Sequence, residues 1–155
     1  SAATMPIMFR YEMDKLIDLV VKKNKNTSPE IRQRVAQSYI EVEIMRLLGM
    51  RTLTGFLKGN QPGPQESMFK LYWSEYHKRI TELALDVLGN ESLVISGARA
   101  STSFHADNPG APNESASWIG AFYNARAGTI YAGTSQIQRN ILGEIVLGLP
   151  KEPRL

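Results

Sequence analysis

The chain has 155 residues, 18 of them basic and 15 acidic, and it contains no cysteine. This length is typical of one globular domain. Without cysteine the chain has no disulfide, no thiolate metal site and no cysteine nucleophile. No apolar run approaches the roughly 20 residues that cross a bilayer, and the first residues lack a signal-peptide pattern. We therefore expect a soluble, cytoplasmic protein with no membrane span.

The net charge is +3, and most basic residues are interspersed with acidic ones, as on a solvated helix surface. The exception is the cluster Lys22-Lys23-Asn24-Lys25. Positive charge is favourable in the last turn of a helix, beside the carbonyl end of its dipole. The cluster therefore indicates a helix end, and we expect no nucleic-acid partner.

Apolar residues at spacings of three and four predict three helices in the first part of the chain. The first covers about residues 6–23, with Thr4 in position to cap it. The second begins at Thr27-Ser28-Pro29-Glu30, where a hydroxyl cap precedes a proline, and continues to Leu57. The third covers about residues 65–88. Its apolar face consists of Phe69, Tyr72, Trp73, Tyr76, Ile80, Leu83, Ala84 and Val87.

The second half has a long connection and two shorter predicted helices. Residues 89–113 are rich in Gly, Ser, Ala, Asn and Pro, and a connection of this length is either functional or partly mobile. A short helix is predicted over residues 115–126, and a last helix begins near Thr134-Ser135. The last helix is expected to turn inward Ile137, Ile141, Leu142, Ile145 and Val146. Since no segment alternates with period two, the fold class is all-α: an antiparallel four-helix bundle with a long loop before the last helices.

The common catalytic and nucleotide-binding motifs are absent from the sequence. His77 and His105 are too few and too isolated for a metal site, and we interpret both as structural or solvated. The aromatic residues of the third helix are interpreted first as core, with cofactor lining as the alternative. We therefore assign no metal ligands.

The most informative stretch covers residues 126–140. It contains Thr129-Ile130-Tyr131, which we expect to be extended, then a flexible Gly133 and a helix start capped by Thr134 or Ser135.

The N–H groups at such a helix start bind anions such as phosphate, and Gln136 and Arg139 would supply side-chain donors. From spacing alone, a capped helix that merely packs is an equally good interpretation.

This stretch resembles a family signature. The sequence Tyr131-Ala-Gly-Thr-Ser-Gln-Ile-Gln-Arg139, followed by Ile141-Leu-Gly-Glu-Ile-Val-Leu-Gly-Leu-Pro150, is similar to the C-terminal signature of the flavin-dependent acyl-CoA dehydrogenases. Residues 70–75 and 83–89 resemble the third helix of that family's C-terminal domain. Residues 32–36 resemble its second helix in the bacterial branch.

The resemblance, over residues 28–152, implies that residues 1–155 are the single C-terminal bundle domain of a longer flavoenzyme. Such enzymes oxidise the Cα–Cβ bond of an acyl-CoA thioester with FAD. A carboxylate removes the α-proton, and the β-hydrogen leaves as hydride. The resemblance also implies lipid and fatty acid metabolism, oligomers with the same or other family subunits, and electron-transferring flavoprotein as acceptor. The isolated domain is expected to be inactive.

By position in the motif, the resemblance implies contacts to FAD from Thr134, Ser135 and Gln136. It places Tyr131 and Gly133 beside the substrate thioester. These positions coincide with the anion-binding helix start described above.

The sequence departs from the family at three places. Ala132 occupies the position of the glutamate base of many members, so no catalytic residue is assigned in this chain. Some relatives place the base on the first helix, where Glu12 is the only candidate. Asp86 stands where the family commonly has a glutamine that contacts FAD across the subunit interface, and its carboxylate would repel flavin phosphates. Residues 24–30 replace the usual Arg-x-x-Phe-Gly motif.

Three hypotheses remain open. The chain belongs to a dehydrogenase that is active through a carboxylate outside it, to a base-less partner subunit of a heteromeric dehydrogenase, or to a non-enzymatic helical interaction module. Since the family buries faces of this domain against its other domains and subunits, we expect the isolated chain to expose apolar patches and to self-associate.

Overall fold

A computed structural model describes residues 4–60, 63, 65–97 and 112–151. The α-helices are α1 (Met5–Lys22), α2 (Pro29–Leu57), α3 (Gln65–Leu88), α4 (Ser115–Gly128) and α5 (Ser135–Ile141). A 3₁₀ turn (Gly89–Leu93) follows α3, and a π-helical turn (Leu142–Val146) continues α5. No strand occurs in these ranges, so the predicted all-α fold is confirmed. His105 lies outside the described residues.

None of the helices in the described ranges combines the length and the hydropathy that a membrane span requires.

Side-chain caps fix the starts of two helices. The Oγ of Ser28 accepts a hydrogen bond from the N–H of Ile31 at the start of α2 (3.3 Å). The Oγ1 of Thr134 accepts one from the N–H of Ile137 at the start of α5 (3.2 Å). Both predicted caps are confirmed. Thr4 directly precedes α1 but forms no side-chain capping bond, so that predicted cap is wrong.

The core is built around α3. Its predicted apolar face is confirmed: every member is buried except Tyr72, which is half-buried. The ring of Phe9, from α1, stacks on Trp73 with centroids 6.0 Å apart and meets Tyr76 edge-on at 5.5 Å. Such ring pairs contribute about 0.5–1.5 kcal/mol each beyond the burial of their area. The aromatic residues of α3 are therefore core residues first.

α4 approaches α3 closely because its facing residues are small. Ala121, Ala125 and Gly128 are all buried, at spacings of four and three. A Cβ on Gly128 would lie 3.4 Å from the ring of Trp73. At the edge of this contact Arg126 forms an ion pair with Glu82 (2.8 Å). This packing determines where the chain leaves α4 and enters the loop that follows.

The predicted inward stripe of the last helix is wrong. Its members Ile137, Ile145 and Val146 are 50%, 64% and 42% exposed, and Ile141 and Leu142 are half-buried. α5 instead buries Ser135 and Gln138. Periodicity identified an apolar face correctly, but no part of the described chain covers it.

The predicted extended segment at residues 129–131 is also wrong. The N–H groups of Ile130 and Tyr131 both donate to the carbonyl of Ala127, at 2.9 and 3.0 Å. The helical hydrogen bonding of α4 therefore continues past the predicted end at Arg126, and the segment forms a turn after Gly128.

A pair of ionisable side chains lies in the core. Glu12 of α1 is 3% exposed and His77 of α3 is fully buried, and Oε1 of Glu12 lies 3.0 Å from Nε2 of His77. The other two polar atoms, Oε2 of Glu12 and Nδ1 of His77, have no hydrogen-bond partner in the described part of the chain. The structural interpretation of His77 is confirmed. The side chain of Glu12 is enclosed in the core.

We expect Glu12→Leu to lower the free energy of unfolding of the chain by about 3–5 kcal/mol, because it leaves His77 buried without its partner. The double variant Glu12→Leu with His77→Leu should recover much of that loss, since no buried polar group remains unpaired. Urea unfolding of both single variants and the double variant measures this coupling. A loss in the double variant equal to the sum of the single losses would contradict the pairing.

Candidate cofactor and substrate site

Apart from Asp86, the predicted site residues lie in and directly after the turn between α4 and α5. We define residues 129–134 as the α4–α5 loop. The N–H of Ser135 donates to the carbonyl of Thr129 (3.1 Å) and closes the loop. Two successive residues have left-handed backbone angles, Ala132 (φ 52°) and Gly133 (φ 91°). Glycine adopts such angles without steric cost, whereas alanine does not. The loop therefore forms a tight turn.

Side chains from α5 and from α3 hold two successive carbonyls of this loop. Nε2 of Gln138, from α5, donates to the carbonyl of Ala132 (2.9 Å). Nζ of Lys70, from α3, donates to the carbonyl of Gly133 (2.7 Å). Gly133 was predicted to be flexible, but its carbonyl has a fixed partner.

α3 also contacts the residue that directly follows the loop. The Oγ of Ser135 donates to Oε1 of Glu75 (2.7 Å), and Ser135 is buried. Because its N–H and its hydroxyl proton are both used within the chain, Ser135 can offer a cofactor only acceptor atoms. The hydroxyl of Thr134 acts as acceptor in its capping bond and can donate its own proton elsewhere. The side chain of Gln136 is exposed.

Within the loop, the side chain of Tyr131 is half-buried against α3. Its ring is 6.3 Å from that of Trp73, and Nζ of Lys70 lies 5.9 Å from its centroid, within the range of a cation–π contact. Burial raises the pKa of the Tyr131 hydroxyl above its usual value. Tyr131 is therefore a neutral phenol at neutral pH, and its hydroxyl oxygen is buried.

The charges beside the loop influence each other. Burial lowers the pKa of the Lys70 ammonium below its usual value, and the carboxylate of Glu75 partly opposes that shift. Lys70 is half-buried, so its charge is partly removed from water and depends on the loop carbonyl and on Glu75 for compensation.

The structure places Asp86 away from the loop. It lies eleven residues after Glu75 on α3, which corresponds to about 16 Å along the helix. Its Oδ2 forms an ion pair with Arg34 of α2 (2.7 Å), so its charge is compensated. A contact between Asp86 and FAD stays a prediction, and it requires a cofactor bound from a neighbouring subunit.

Lys70, Glu75 and Gln138 were not singled out as site residues from the sequence. Lys70 and Glu75 lie in the stretch that resembles the family's third helix. In the sequence they are only polar residues beside the apolar face of that helix, and this does not indicate a role in a site. Lys70 is 63 positions from the residue whose carbonyl it binds, and no local pattern reveals such a contact.

Substitutions at residues 132 and 133 should have opposite effects on stability. Ala132→Gly removes a left-handed alanine and should stabilise the chain by up to about 1 kcal/mol. Gly133→Ala should destabilise it by about 1–3 kcal/mol, because the new Cβ would lie 2.6 Å from Nε2 of Gln138. Thermal unfolding of the two variants provides the comparison. Equal midpoints in both variants would show that the loop does not have this conformation.

Comparison with known proteins identifies the family of this chain. The family model described as "Acyl-CoA dehydrogenase, C-terminal domain" matches residues 1–147. The chain is 31% identical over 148 residues to acyl-CoA dehydrogenase IpdE1 of Mycobacterium tuberculosis, covering 96% of this chain and 34% of that protein. It is 32% identical over 146 residues to IpdE1 of Mycolicibacterium smegmatis, covering 94% of this chain and 32% of that protein.

Among solved structures, the fold is similar to "Tcur3481-Tcur3483 steroid ACAD", with a TM-score of 0.74 and 16% identity over 97% of this chain and 36% of that one. Its G363A variant gives a TM-score of 0.73. The chain thus spans about a third of the length of the curated relatives that it matches. It belongs to the acyl-CoA dehydrogenase family and corresponds to the C-terminal domain of that family.

Proposed function

We propose that this chain is the FAD-contacting and oligomerisation domain of an enzyme that oxidises the Cα–Cβ bond of an acyl-CoA thioester. One observation carries the proposal: in a chain of this family, the signature residues form a loop that side chains of α3 and α5 hold by hydrogen bonds. Ala132 and Gln136 are exposed at the rim of that loop. A loop whose carbonyls are held by hydrogen bonds from two helices is suited to hold a cofactor and a substrate in register.

The donors and acceptors at the loop fit a flavin cofactor. FAD, when bound, supplies the hydride acceptor for the β-hydrogen. The hydroxyl of Thr134 and the amide of Gln136 would donate to its acceptor atoms, and Ser135 would contact it through oxygen lone pairs. Tyr131 and Gly133 would lie beside the thioester, with Tyr131 as a neutral phenol.

The α-proton must be removed by a group outside this chain. The methyl side chain of Ala132 cannot accept a proton, and the carboxylate of Glu12 is enclosed in the core. We therefore assign the base to a carboxylate elsewhere in the longer protein, or in a partner subunit. By itself the domain would be inactive.

The exposed apolar surface supports an assembly role. From residue 40 to its end, α2 has apolar side chains that are 39–76% exposed, and we call them the α2 apolar surface: Ile40, Ile44, Leu47, Met50, Leu53, Phe56 and Leu57. Continuous apolar surfaces of this kind mark contacts with other proteins or domains. We assign the α2 apolar surface to contacts between subunits, and the exposed stripe of the last helix to the rest of the longer protein.

A base-less partner subunit of a heteromeric dehydrogenase is the second candidate. Ala132 favours it, because a subunit without a base can still complete an oligomer that has one. The name of the solved neighbour, "Tcur3481-Tcur3483 steroid ACAD", joins two components, which is consistent with paired subunits. In either case acyl-CoA is the substrate, electron-transferring flavoprotein is the acceptor, and we place the protein in the cytoplasm and in lipid metabolism.

The visible spectrum of the full-length protein, expressed with and without any homologous partner encoded beside it, tests the function. We expect bound flavin that bleaches on anaerobic addition of one member of a panel of acyl-CoAs. Bleaching without a partner supports the first candidate, and bleaching only with the partner supports the second. A full-length protein without flavin, alone and with the partner, would contradict both.

Variants at Thr134 test whether this chain contacts the flavin. Thr134→Val should lower flavin occupancy, whereas Thr134→Ser, which keeps the hydroxyl and the cap, should retain it. Thr27→Val, at an exposed turn residue, is the matched control.

Self-association of the chain tests the assembly role. We expect light scattering at micromolar concentration to detect oligomers, and Leu47→Asp to shift them toward monomer because it places a charge in the α2 apolar surface. Val21→Asp is the matched control, since Val21 and Leu47 are both 57% exposed. A strictly monomeric chain, or equal effects of the two variants, would contradict the assignment.

A further inference from the structure

Lys70 contacts the α4–α5 loop at the point where the proposed ligands would bind. Its Nζ lies 2.7 Å from the carbonyl of Gly133 and 5.9 Å from the ring centroid of Tyr131. We propose that Lys70 is a positioning residue, which fixes the peptide between Gly133 and Thr134 so that the loop presents N–H groups to cofactor or substrate. This inference rests on the proposed function.

The hydrogen bond from Lys70 to the carbonyl of Gly133 also determines where the next N–H group points. In a trans peptide the C=O and the N–H point in opposite directions. Because Lys70 holds the carbonyl of Gly133, the N–H of Thr134 points away from α3. Because Gln138 holds the carbonyl of Ala132, the N–H of Gly133 points away from Gln138. The two side chains thus orient two successive donors of the signature loop.

Packing alone does not require a charged side chain at position 70. A half-buried ammonium loses part of its hydration, and an apolar side chain of similar length would fill the same space without that cost. What an apolar side chain cannot do is donate a charge-assisted hydrogen bond to a carbonyl. The observed bond to Gly133 is the property that distinguishes lysine at this position.

Glu75 holds the chain at the end of the loop. It lies on the same helix, accepts the hydroxyl proton of Ser135 (2.7 Å), and acts electrostatically on Lys70. With Ser135 held, the peptides at residues 132–134 are the part of the loop whose orientation depends on Lys70 and Gln138. Lys70 acts on that part.

The test uses the full-length protein with Lys70→Met, Lys70→Arg and, as control, Lys22→Met at an exposed position in α1. Hydrogen exchange of the flavin-free protein reports the loop, flavin titration reports affinity, and steady-state kinetics separates KM from kcat. We expect Lys70→Met to speed exchange at residues 131–135 and weaken flavin or acyl-CoA binding at least about tenfold. Lys70→Arg should recover part of both effects, and Lys22→Met should change neither.

Unchanged exchange and unchanged affinity in Lys70→Met would overturn the inference. If Lys70→Met does not fold, Lys70→Gln provides the same comparison, because it removes the charge and shortens the side chain while keeping polarity. Absence of flavin from the unsubstituted protein would contradict the proposed function, whereas the exchange measurement would still decide the role of Lys70.

Discussion

The indole ring of Trp73 connects three parts of this molecule. It stacks on Phe9 of α1, lies against Gly128 of α4, and contacts the ring of Tyr131 in the α4–α5 loop. A Cβ at position 128 would just reach the indole, at 3.4 Å, so the small residue there lets α4 lie close to α3. The position of the loop is therefore a consequence of how the core packs.

Two faces of α3 have different roles, one in the core and one at the α4–α5 loop. Its apolar face forms the core with α1, α2 and α4, and one buried histidine bonds to Glu12 inside that core. Its polar edge, at Lys70 and Glu75, binds the loop instead. One helix thus stabilises the bundle and orients the signature residues, so a substitution on its polar edge should disturb the site more than the fold.

The sequence predicted the helices well because their ends carry strong local signals. Ser28 before Pro29 and the capping hydroxyl of Thr134 both fix a helix start within a few residues. It predicted the surroundings of the last helix poorly, because a periodic stripe indicates which residues form an apolar face but not what covers it. Ile145 belongs to such a face and is 64% exposed.

Contacts between distant positions could not be predicted at all. The bond from Lys70 to Gly133 joins residues 63 positions apart, and the Glu12–His77 pair joins residues 65 apart. Motif resemblance located the loop, but the side chains that orient it emerged only from the packing of α3 against α4 and α5. The same holds for Ser135, whose donors are already used within the chain.

The most direct test of this account is a crystal structure of the full-length protein with FAD and an unreactive acyl-CoA analogue. The account predicts flavin and thioester in contact with residues 131–136, with Nζ of Lys70 still bonded to the carbonyl of Gly133. A flavin bound elsewhere, with this loop covered only by other parts of the protein, would contradict it.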